Sequence, residues 1–276
     1  MNMKILRTSF CVALAALMFS CSGEEPTRIP DIQPTLPGNG STCYISKIKN
    51  SGSISGCYDW EFVYKDARMV SATGALYNPL SVDVQYTSQL KYSRDTIGIK
   101  NTPKAGELAM RVVLNSDHYI EYLLVNKDEY RFEYNDGRLV RWNKTIKDVN
   151  FGAEALHARG EIEYVDGDIA CITYAENNDN PTFYRCVKSS AYNINGLLPA
   201  TLSKQLGCFG FEHLYYAGLL GKATRHLIQS LEVDYPEEAK YGDYRVDFNY
   251  STNKEGQIDL CNFTLNGAAA SVNYYY

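Results

Sequence analysis

The sequence predicts a mainly β fold: a long, curved antiparallel meander, forming an open or partly closed barrel-like sheet, with a short helical insertion near residues 197–231. Three observations lead to this prediction. Several segments alternate aromatic and charged residues with a period of two. Turn-forming Asn, Asp and Gly residues separate these segments. One apolar region near the carboxyl end lacks the alternation.

The alternating segments place aromatic side chains on one face of a strand and charged side chains on the other. In residues 58–70, Tyr, Trp and Phe alternate with Asp, Glu and Lys, and residues 130–140, 160–172 and 244–260 repeat the pattern. Successive side chains of a strand point to opposite faces of the sheet, so these segments predict amphipathic strands. Further strands are expected within residues 81–88, 110–115 and 118–126.

Two turn motifs connect neighbouring strands of the predicted meander. Asn135-Asp136-Gly137 and Asp166-Gly167 supply residues that adopt positive φ readily, as tight hairpin turns require. Each motif therefore predicts an antiparallel hairpin.

The apolar region, residues 193–235, contains several glycines and no alternation. Residues 211–219 suit a short helix, and residues 223–231 suit a second turn or coil. Such a segment must bury its apolar stripe, and we expect it to pack on the concave face of the curved sheet.

The amino-terminal residues predict export and lipidation. Two basic residues precede an apolar run at 10–19 that is too short to span a bilayer but suits a secretory signal. Met18-Phe19-Ser20-Cys21 resembles a relaxed lipobox of bacterial lipoproteins, although Phe19 stands where a small residue is usual. We therefore expect residues 1–20 to be a lipoprotein signal peptide and Cys21 to carry the lipid.

The segment behind the lipidated cysteine predicts a tether. Residues 21–42 carry four prolines and three glycines, which is typical of a stiff, solvated spacer. Residues 43–276 are then expected to form a single β-rich domain. Glu24-Glu25 resembles the acidic surface-export signal of Bacteroidetes lipoproteins. This resemblance implies an outer-membrane lipoprotein facing the cell exterior, with the periplasmic leaflet as the alternative.

Charge and motif composition exclude several classes of function. The net charge is −5 without a basic run, which argues against a nucleic-acid partner. The four histidines are scattered without metal-ligand spacing, so no metal site is predicted. Residues 218–223 (GLLGKA) lack the first glycine and the hydroxyl residue of a phosphate-binding loop. No cofactor is expected.

Two pairs of carboxylates are the only candidates for catalysis. Asp59 with Glu61, and Glu161 with Glu163, lie two residues apart on predicted strands, which places each pair about 7 Å apart on one face. Glycosidases use two carboxyl groups at such separations. The solvated face of any antiparallel sheet carries similar pairs, however, so we predict no catalytic residue and no enzyme activity.

One disulfide is possible within the predicted domain. Residues 176–181 suit a hairpin loop, and its symmetric closure pairs Ala175 with Thr182 and brings Cys171 opposite Cys186. Directly opposed strand residues lie within disulfide reach. Two free thiols remain the alternative, because a slip of one residue places the cysteines on opposite faces.

These features together resemble one known family. The lipobox, the Tyr-x-Tyr hairpins, residues 193–199 (NINGLLP), residues 216–222 (YAGLLGK) and a last strand ending in tyrosines resemble a Bacteroidetes lipoprotein family of unknown function with a porin-like fold. The resemblance implies a highly curved antiparallel sheet with a helical insertion and no assigned activity.

Three functions fit the sequence. The first is a membrane-anchored surface lipoprotein that acts as a binding or scaffolding module for a glycan, peptide or protein. The second is a glycan-directed hydrolase that uses strand carboxylates. The third is an integral outer-membrane β-barrel, because residues 271–276 (SVNYYY) resemble the aromatic last strand of such barrels. We favour the binding module, since the predicted anchor and insertion suit an integral barrel poorly.

Overall fold

The computed structural model describes residues 44–52, 58–76, 85–93, 96–103, 109–147, 154–177, 179–237, 239 and 242–276. These residues form seventeen strands and one short helix. The first nine strands are β1 (Lys47–Gly52), β2 (Tyr58–Lys65), β3 (Arg68–Leu76), β4 (Gln85–Tyr92), β5 (Thr96–Pro103), β6 (Ala109–Leu114), β7 (Ile120–Val125), β8 (Asp128–Asn135) and β9 (Arg138–Lys147). The remaining elements are β10 (Glu154–Val165), β11 (Asp168–Glu176), β12 (Thr182–Tyr192), α1 (Glu212–Tyr216), β13 (His226–Asp234), β14 (Tyr244–Asp247), β15 (Asn249–Thr252), β16 (Ile258–Leu265) and β17 (Ala268–Tyr275).

The strands form one antiparallel sheet that curves back on itself. Consecutive strands from β2 to β14 pair in chain order, and β15, β16 and β17 continue the meander after a one-residue break at Phe248. β1 then pairs with both β17 and β2, which joins the last strand to the first. The prediction of a mainly β, barrel-like meander is therefore confirmed, and the sheet is nearly closed.

The seam between β1 and β2 is short and is completed by a side chain. Only Lys47 and Ile48 of β1 pair with β2 through the regular ladder. Beyond them, the backbone N–H of Asn50 donates to Oδ1 of Asp59 at 2.8 Å, and Nδ2 of Asn50 donates to the carbonyl of Tyr58 at 2.8 Å. The Asp59 carboxylate thus accepts a bond that a strand carbonyl would otherwise take.

The two faces of the sheet carry different side chains. Along β2, Trp60 and Phe62 are buried, whereas Glu61 and Val63 are exposed. β8 repeats this alternation: its aromatic residues lie on the inner face, and Arg131 and Glu133 lie outside. The predicted aromatic and charged faces are therefore the inner and outer faces of the barrel.

The apolar region between β12 and β13, residues 193–225, lies inside the barrel and is here called the plug. Its rings pack on the inward aromatic residues of several strands: His213 lies 4.9 Å from Trp60, Tyr216 lies 5.4 Å from Phe62, and Phe209 lies 5.3 Å from Trp142, all between ring centroids. Phe211 packs edge-on against Tyr130 at 5.2 Å. The expectation that this region packs on the concave face is confirmed.

The plug also hydrogen-bonds to the turns at one end of the barrel. The backbone N–H of Lys222 donates to the carbonyl of Gly137, and that of Arg225 donates to the carbonyl of Gly167. Both glycines have positive φ, as predicted for the two hairpin turns. A β-carbon on Gly221 would lie 2.9 Å from the carbonyl oxygen of Gly137, so only a glycine permits this approach.

Hydrogen bonds of one side chain fix the turn at the start of the plug. The buried side chain of Asn193 accepts a bond from the backbone N–H of Leu197 at 2.8 Å and donates to its carbonyl at 3.0 Å. This pair of bonds encloses Gly196, which has positive φ. The NINGLLP motif is therefore a side-chain-stapled turn that directs the chain into the barrel.

One carboxyl group is buried in the plug. Glu212, the first residue of α1, hydrogen-bonds to the hydroxyl of Ser203. Burial raises the pKa of Glu212, which opposes ionisation of the group. It lines a small cavity of about 40 Å³ between the plug and strands β1, β2 and β17.

The extent of the helical insertion differs from the prediction. The helix is shorter than residues 211–219. Within residues 223–231 only 223–225 are irregular, because β13 begins at His226. Val187 pairs with Ser230 and Lys188 pairs with Ile228, so Gln229 is an extra residue in the ladder. This bulge interrupts the alternation of buried and exposed residues along β13, so the sequence pattern does not indicate a strand there.

Packing between the plug and the barrel predicts a large effect of one core substitution. Trp142 is fully buried, and its indole N–H donates to the carbonyl of Gln205 in the plug at 2.8 Å. We expect Trp142→Ala to lower the free energy of unfolding by about 3–5 kcal/mol, because it leaves a cavity and an unpaired carbonyl. The exposed Val63→Ala is the control, with an expected change within about 0.5 kcal/mol. Urea unfolding measures both, and similar values for the two variants would contradict a tightly packed plug.

Candidate functional site

A cavity of about 790 Å³ opens at the end of the barrel where the plug meets the hairpin turns. The β8–β9 turn, the β10–β11 turn and the two ends of the plug form its walls. Its lining residues are Asn135, Asp136, Arg138, Val140, Ile162, Tyr164, Asp166, Gly167, Tyr192, Ile194 and Arg225. The volume lies within the range of small-molecule sites in proteins.

Arg138 contributes a positive charge to this cavity. Its Nη1 donates to the carbonyl of Ala223 at 2.5 Å, and its guanidinium carbon lies 5.6 Å from the centroid of the Tyr164 ring. No carboxylate of the described residues forms an ion pair with this guanidinium. A guanidinium has five N–H donors, and a single carbonyl leaves most of them to water or a ligand.

The cavity also contains an exposed aromatic ring, that of Tyr192, here called the aromatic platform. Tyr192 is 55% exposed as a residue, and its ring stacks on His226 with ring centroids 4.4 Å apart. The guanidinium carbon of Arg225 lies 6.0 Å from the same Tyr192 ring. The cavity therefore combines two arginines with an exposed aromatic surface.

Asp168 holds this platform from behind. Its Oδ1 accepts the backbone N–H of His226 at 2.6 Å, and its Oδ2 lies 2.8 Å from Nδ1 of His226. Thr224 and Lys188 also contact the carboxylate, at 3.3 Å each. Burial alone would raise the pKa of Asp168, but the bonds from His226 and Lys188 outweigh it and lower the pKa.

The rim carries two exposed carboxylates, Asp136 and Asp166. Each has positive φ within its hairpin turn, so turn geometry accounts for the choice of aspartate at both positions. Lys222 lies 3.6 Å from Oδ1 of Asp136 and donates to its backbone carbonyl at 2.9 Å. The rim thus offers carboxylate oxygens that accept hydrogen bonds, above a deeper guanidinium.

The carboxylate pairs proposed from the sequence lie on the outer face, away from this cavity. Asp59 contacts Lys49 at 3.0 Å, and Glu61 contacts Lys47 at 2.6 Å. The hydrogen bond and the charge of Lys47 lower the pKa of Glu61, so this residue is not a proton donor at neutral pH.

The second pair has the same setting. Glu161 lies 3.3 Å from Arg141, and Glu163 stands opposite Cys171 on the exposed face of β10. These four carboxylates therefore belong to cross-strand contacts of the sheet surface.

The histidines do not assemble into a metal site. Among the described residues, no group of three or more His, Cys, Asp or Glu side chains has a geometry that would hold a metal ion. His213 lies in the plug, where burial lowers its pKa to about 3, and His226 supports Tyr192. Within the same residues, no helix is long and apolar enough to cross a membrane.

The predicted register of the Cys171–Cys186 hairpin is wrong by one residue. Tyr174 pairs with Thr182 and Cys171 pairs with Arg185, so seven residues rather than six lie between the last pair. β11 continues along β10, where Glu176 pairs with Ala158, before the chain turns. Cys186 packs against the core and Cys171 lies on the other face, and both are free thiols in the structure. Cys21 lies outside the described residues.

Sequence reasoning missed the residues of the cavity itself. Arg138 and Tyr192 have no motif of their own, and they meet only because the plug returns to the turn end of the barrel. The available signal was the coincidence of two Asp-Gly turns with the NINGLLP motif, whose backbone bonds converge on the cavity.

Comparisons with known proteins agree with this architecture. Residues 62–258 match the family model described as "Domain of unknown function (DUF4595) with porin-like fold". Among solved structures, the chain resembles a porin-like protein from Bacteroides uniformis ATCC 8492, with a TM-score of 0.65 and 17% sequence identity. The alignment covers 85% of this chain and 98% of that chain, and the likeness concerns the fold. No curated protein matches the sequence.

The hydrogen bonds of Asp168 predict a pH-dependent contribution to stability. Because its pKa is lowered in the folded state, the contribution is present above the ordinary aspartate pKa of about 3.9 and is lost as the pH falls through the folded-state value. We expect Asp168→Asn to cost about 1–3 kcal/mol at pH 7, with a difference from the wild type that shrinks below pH ~4. Urea unfolding at both pH values measures this. Asp166→Asn, on the exposed turn, is the control, and an equal effect of the two substitutions would contradict the prediction.

Proposed function

Because this chain belongs to the family of domains of unknown function with a porin-like fold, we propose that it is a lipid-anchored, non-conducting binding module of the outer membrane. In this proposal the barrel is a scaffold, the plug closes it, and the cavity at its turn end receives a ligand. The ligand is a glycan, a peptide or a part of another protein, and nucleic acid is not a partner.

The observation that carries the proposal is the filled interior. Barrels of sixteen or more strands leave an aqueous channel when no other segment enters them. Here thirteen apolar residues of the plug are buried among the inward side chains: Leu197, Leu198, Leu202, Leu206, Cys208, Phe211, Leu214, Tyr215, Tyr216, Ala217, Leu219, Leu220 and Ala223. Such packing supports a binding role over conduction.

The outer face supports anchoring by lipid rather than by the barrel wall. A membrane-spanning barrel needs an uncharged outer band about 25 Å tall. Charged residues instead occur along the outward positions of consecutive strands, including Arg141 with Glu133 and Glu161, and Arg245 with Glu232 and Asp247. Residues of this kind suit contact with water.

The amino-terminal sequence supports the proposed anchor and orientation. Cys21 with its lipid would hold the module at the membrane, and residues 21–42 would act as the spacer. The acidic pair Glu24-Glu25 favours the cell exterior. We infer that the barrel is displayed at the surface on this tether.

We infer binding rather than catalysis from the setting of the carboxylates. Asp59, Glu61 and Glu161 contact basic residues on the outer face of the sheet. The geometry of the hairpin turns accounts for the rim aspartates, because both have positive φ. The hydrolase is the second candidate because two carboxylates line one cavity, and glycosidases use a pair of carboxyl groups.

A conductance measurement tests the closed barrel. We expect the full-length protein, reconstituted in planar lipid bilayers, to give no stepwise conductance at applied voltages where a general porin conducts. We expect this because buried residues of the plug fill the barrel interior and because the charged outer face does not suit insertion into lipid. Stepwise currents that depend on protein concentration would contradict the proposal.

A substitution at the lipobox tests the anchor. We expect Cys21→Ser to remain as unprocessed precursor or to leave the detergent phase when cells are extracted with a phase-separating detergent, because no acyl chains are attached. Cys11→Ser, within the apolar run of the signal, is the matched control and should partition as the wild type does. Wild-type protein in the aqueous phase would refute the lipid anchor.

A further inference from the structure

We propose that the turn-end cavity binds an acidic saccharide, that is, a hydroxyl-rich ring that carries a carboxylate or sulfate group. The inference rests on the proposed binding function and specifies the chemistry of its ligand. Three features of the cavity support it: a guanidinium with no ion-pair partner among the described residues, an exposed aromatic ring held by stacking, and a rim of hydrogen-bond acceptors.

The guanidinium of Arg138 selects for a negative charge. It is half-buried, lines the cavity and forms no ion pair with a described carboxylate. Its hydrogen bond to the carbonyl of Ala223 and the Tyr164 ring beside it hold the group in place. A fixed guanidinium presents parallel N–H donors that match the two oxygens of a carboxylate or sulfate. A neutral ligand would leave this charge uncompensated.

The Tyr192 ring favours a ligand with a flat, partly apolar face. More than half of the residue is exposed, yet its ring is fixed by stacking on His226, which Asp168 holds in turn. A large exposed aromatic side chain with such support is pre-organised for contact, because little side-chain entropy is lost on binding. Arg225 lies beside this ring and adds a second positive charge.

The rim favours a ligand that has hydrogen-bond donors around its acidic group. Asn135, Asp136 and Asp166 line the mouth of the cavity. Carboxylate and amide oxygens accept hydrogen bonds from hydroxyl groups, and two aspartates disfavour a ligand whose only polar groups are anionic, such as a polyphosphate. A ring with one acidic group and several hydroxyls satisfies Arg138 and the rim together.

A peptide fits the cavity less well. Extended peptides usually bind by adding a strand to an open sheet edge. Strands β8, β9 and β10 supply most of the cavity lining, and each of them pairs with a neighbour on both sides. These three strands offer no open edge for such pairing, although β12 pairs only with β13 beyond Arg185. The larger part of the lining therefore favours recognition of a ring by side chains.

Calorimetric titration of the detergent-solubilised full-length protein tests the proposal, with trigalacturonate as the acidic probe and maltotriose as a neutral trisaccharide. We expect the acidic probe to bind and the neutral one to bind at least tenfold more weakly. Arg138→Gln and Arg225→Gln should each raise the Kd for trigalacturonate about 10- to 100-fold, as expected for the loss of a charged hydrogen bond. Tyr192→Leu should also raise it.

Matched variants outside the cavity serve as controls. Arg245→Gln removes an exposed guanidinium on the outer face, and Tyr275→Leu removes an exposed tyrosine that does not line the cavity. Both should leave the Kd unchanged. Arg225 is exposed, so Arg225→Gln should fold even if Arg138→Gln does not.

Each outcome bears on the proposal. Equal affinities for the two trisaccharides, no binding of trigalacturonate, or acidic binding that is insensitive to Arg225→Gln and Tyr192→Leu would overturn the ligand class. Tight binding of an acidic hexapeptide that competes with trigalacturonate, with a lower Kd, would overturn it as well. The proposed function fails on other readouts, namely conductance and detergent partition, so the two failures are distinguishable.

Discussion

The width of the barrel is the constraint on which the rest of the structure depends. A ring of about eight strands is filled by its own inward side chains, whereas a ring twice as wide encloses a space that those side chains cannot fill. The plug supplies the missing volume, and it does so with aromatic rings that meet inward aromatic residues such as Trp60, Phe62 and Trp142. The barrel and the plug therefore form one hydrophobic core, and neither would be stable in water without the other.

The same constraint places the cavity. The plug enters the barrel after β12 and leaves it before β13, so both of its ends lie at one rim, next to the hairpin turns. There the backbone of the plug donates to the carbonyls of Gly137 and Gly167, which ties three separate segments together. Side chains around these bonds, Arg138 and Tyr192 among them, cannot all pack into the interior, and the gap between them is the cavity.

Local patterns predicted the strands and hairpins, because the alternation of residues along a strand and the positive φ of Asp-Gly turns are properties of neighbours in sequence. The wrong predictions concern strand bounds and register that depend on contacts between segments distant in sequence. A bulge at Gln229 hid β13, and the continuation of β11 along β10 lengthened the hairpin loop by one residue and separated Cys171 from Cys186. The cavity was not predictable, since Arg138 and Tyr192 are brought together only by the path of the plug.

The short seam between β1 and β2 has a mechanical consequence. β1 is held to β17 by six residue pairs but to β2 by only two, supplemented by the side chain of Asp59 and by the bond from the Phe62 N–H to the Ser46 carbonyl. A pulling force applied at the amino-terminal end of β1 would act on the bond between Ser46 and Tyr275 first and would then break the pairs in succession, as a zipper opens. Such peeling needs far less force than shearing all pairs at once. Tension on the first strand would thus open the ring at its seam while the aromatic core around the plug stayed intact.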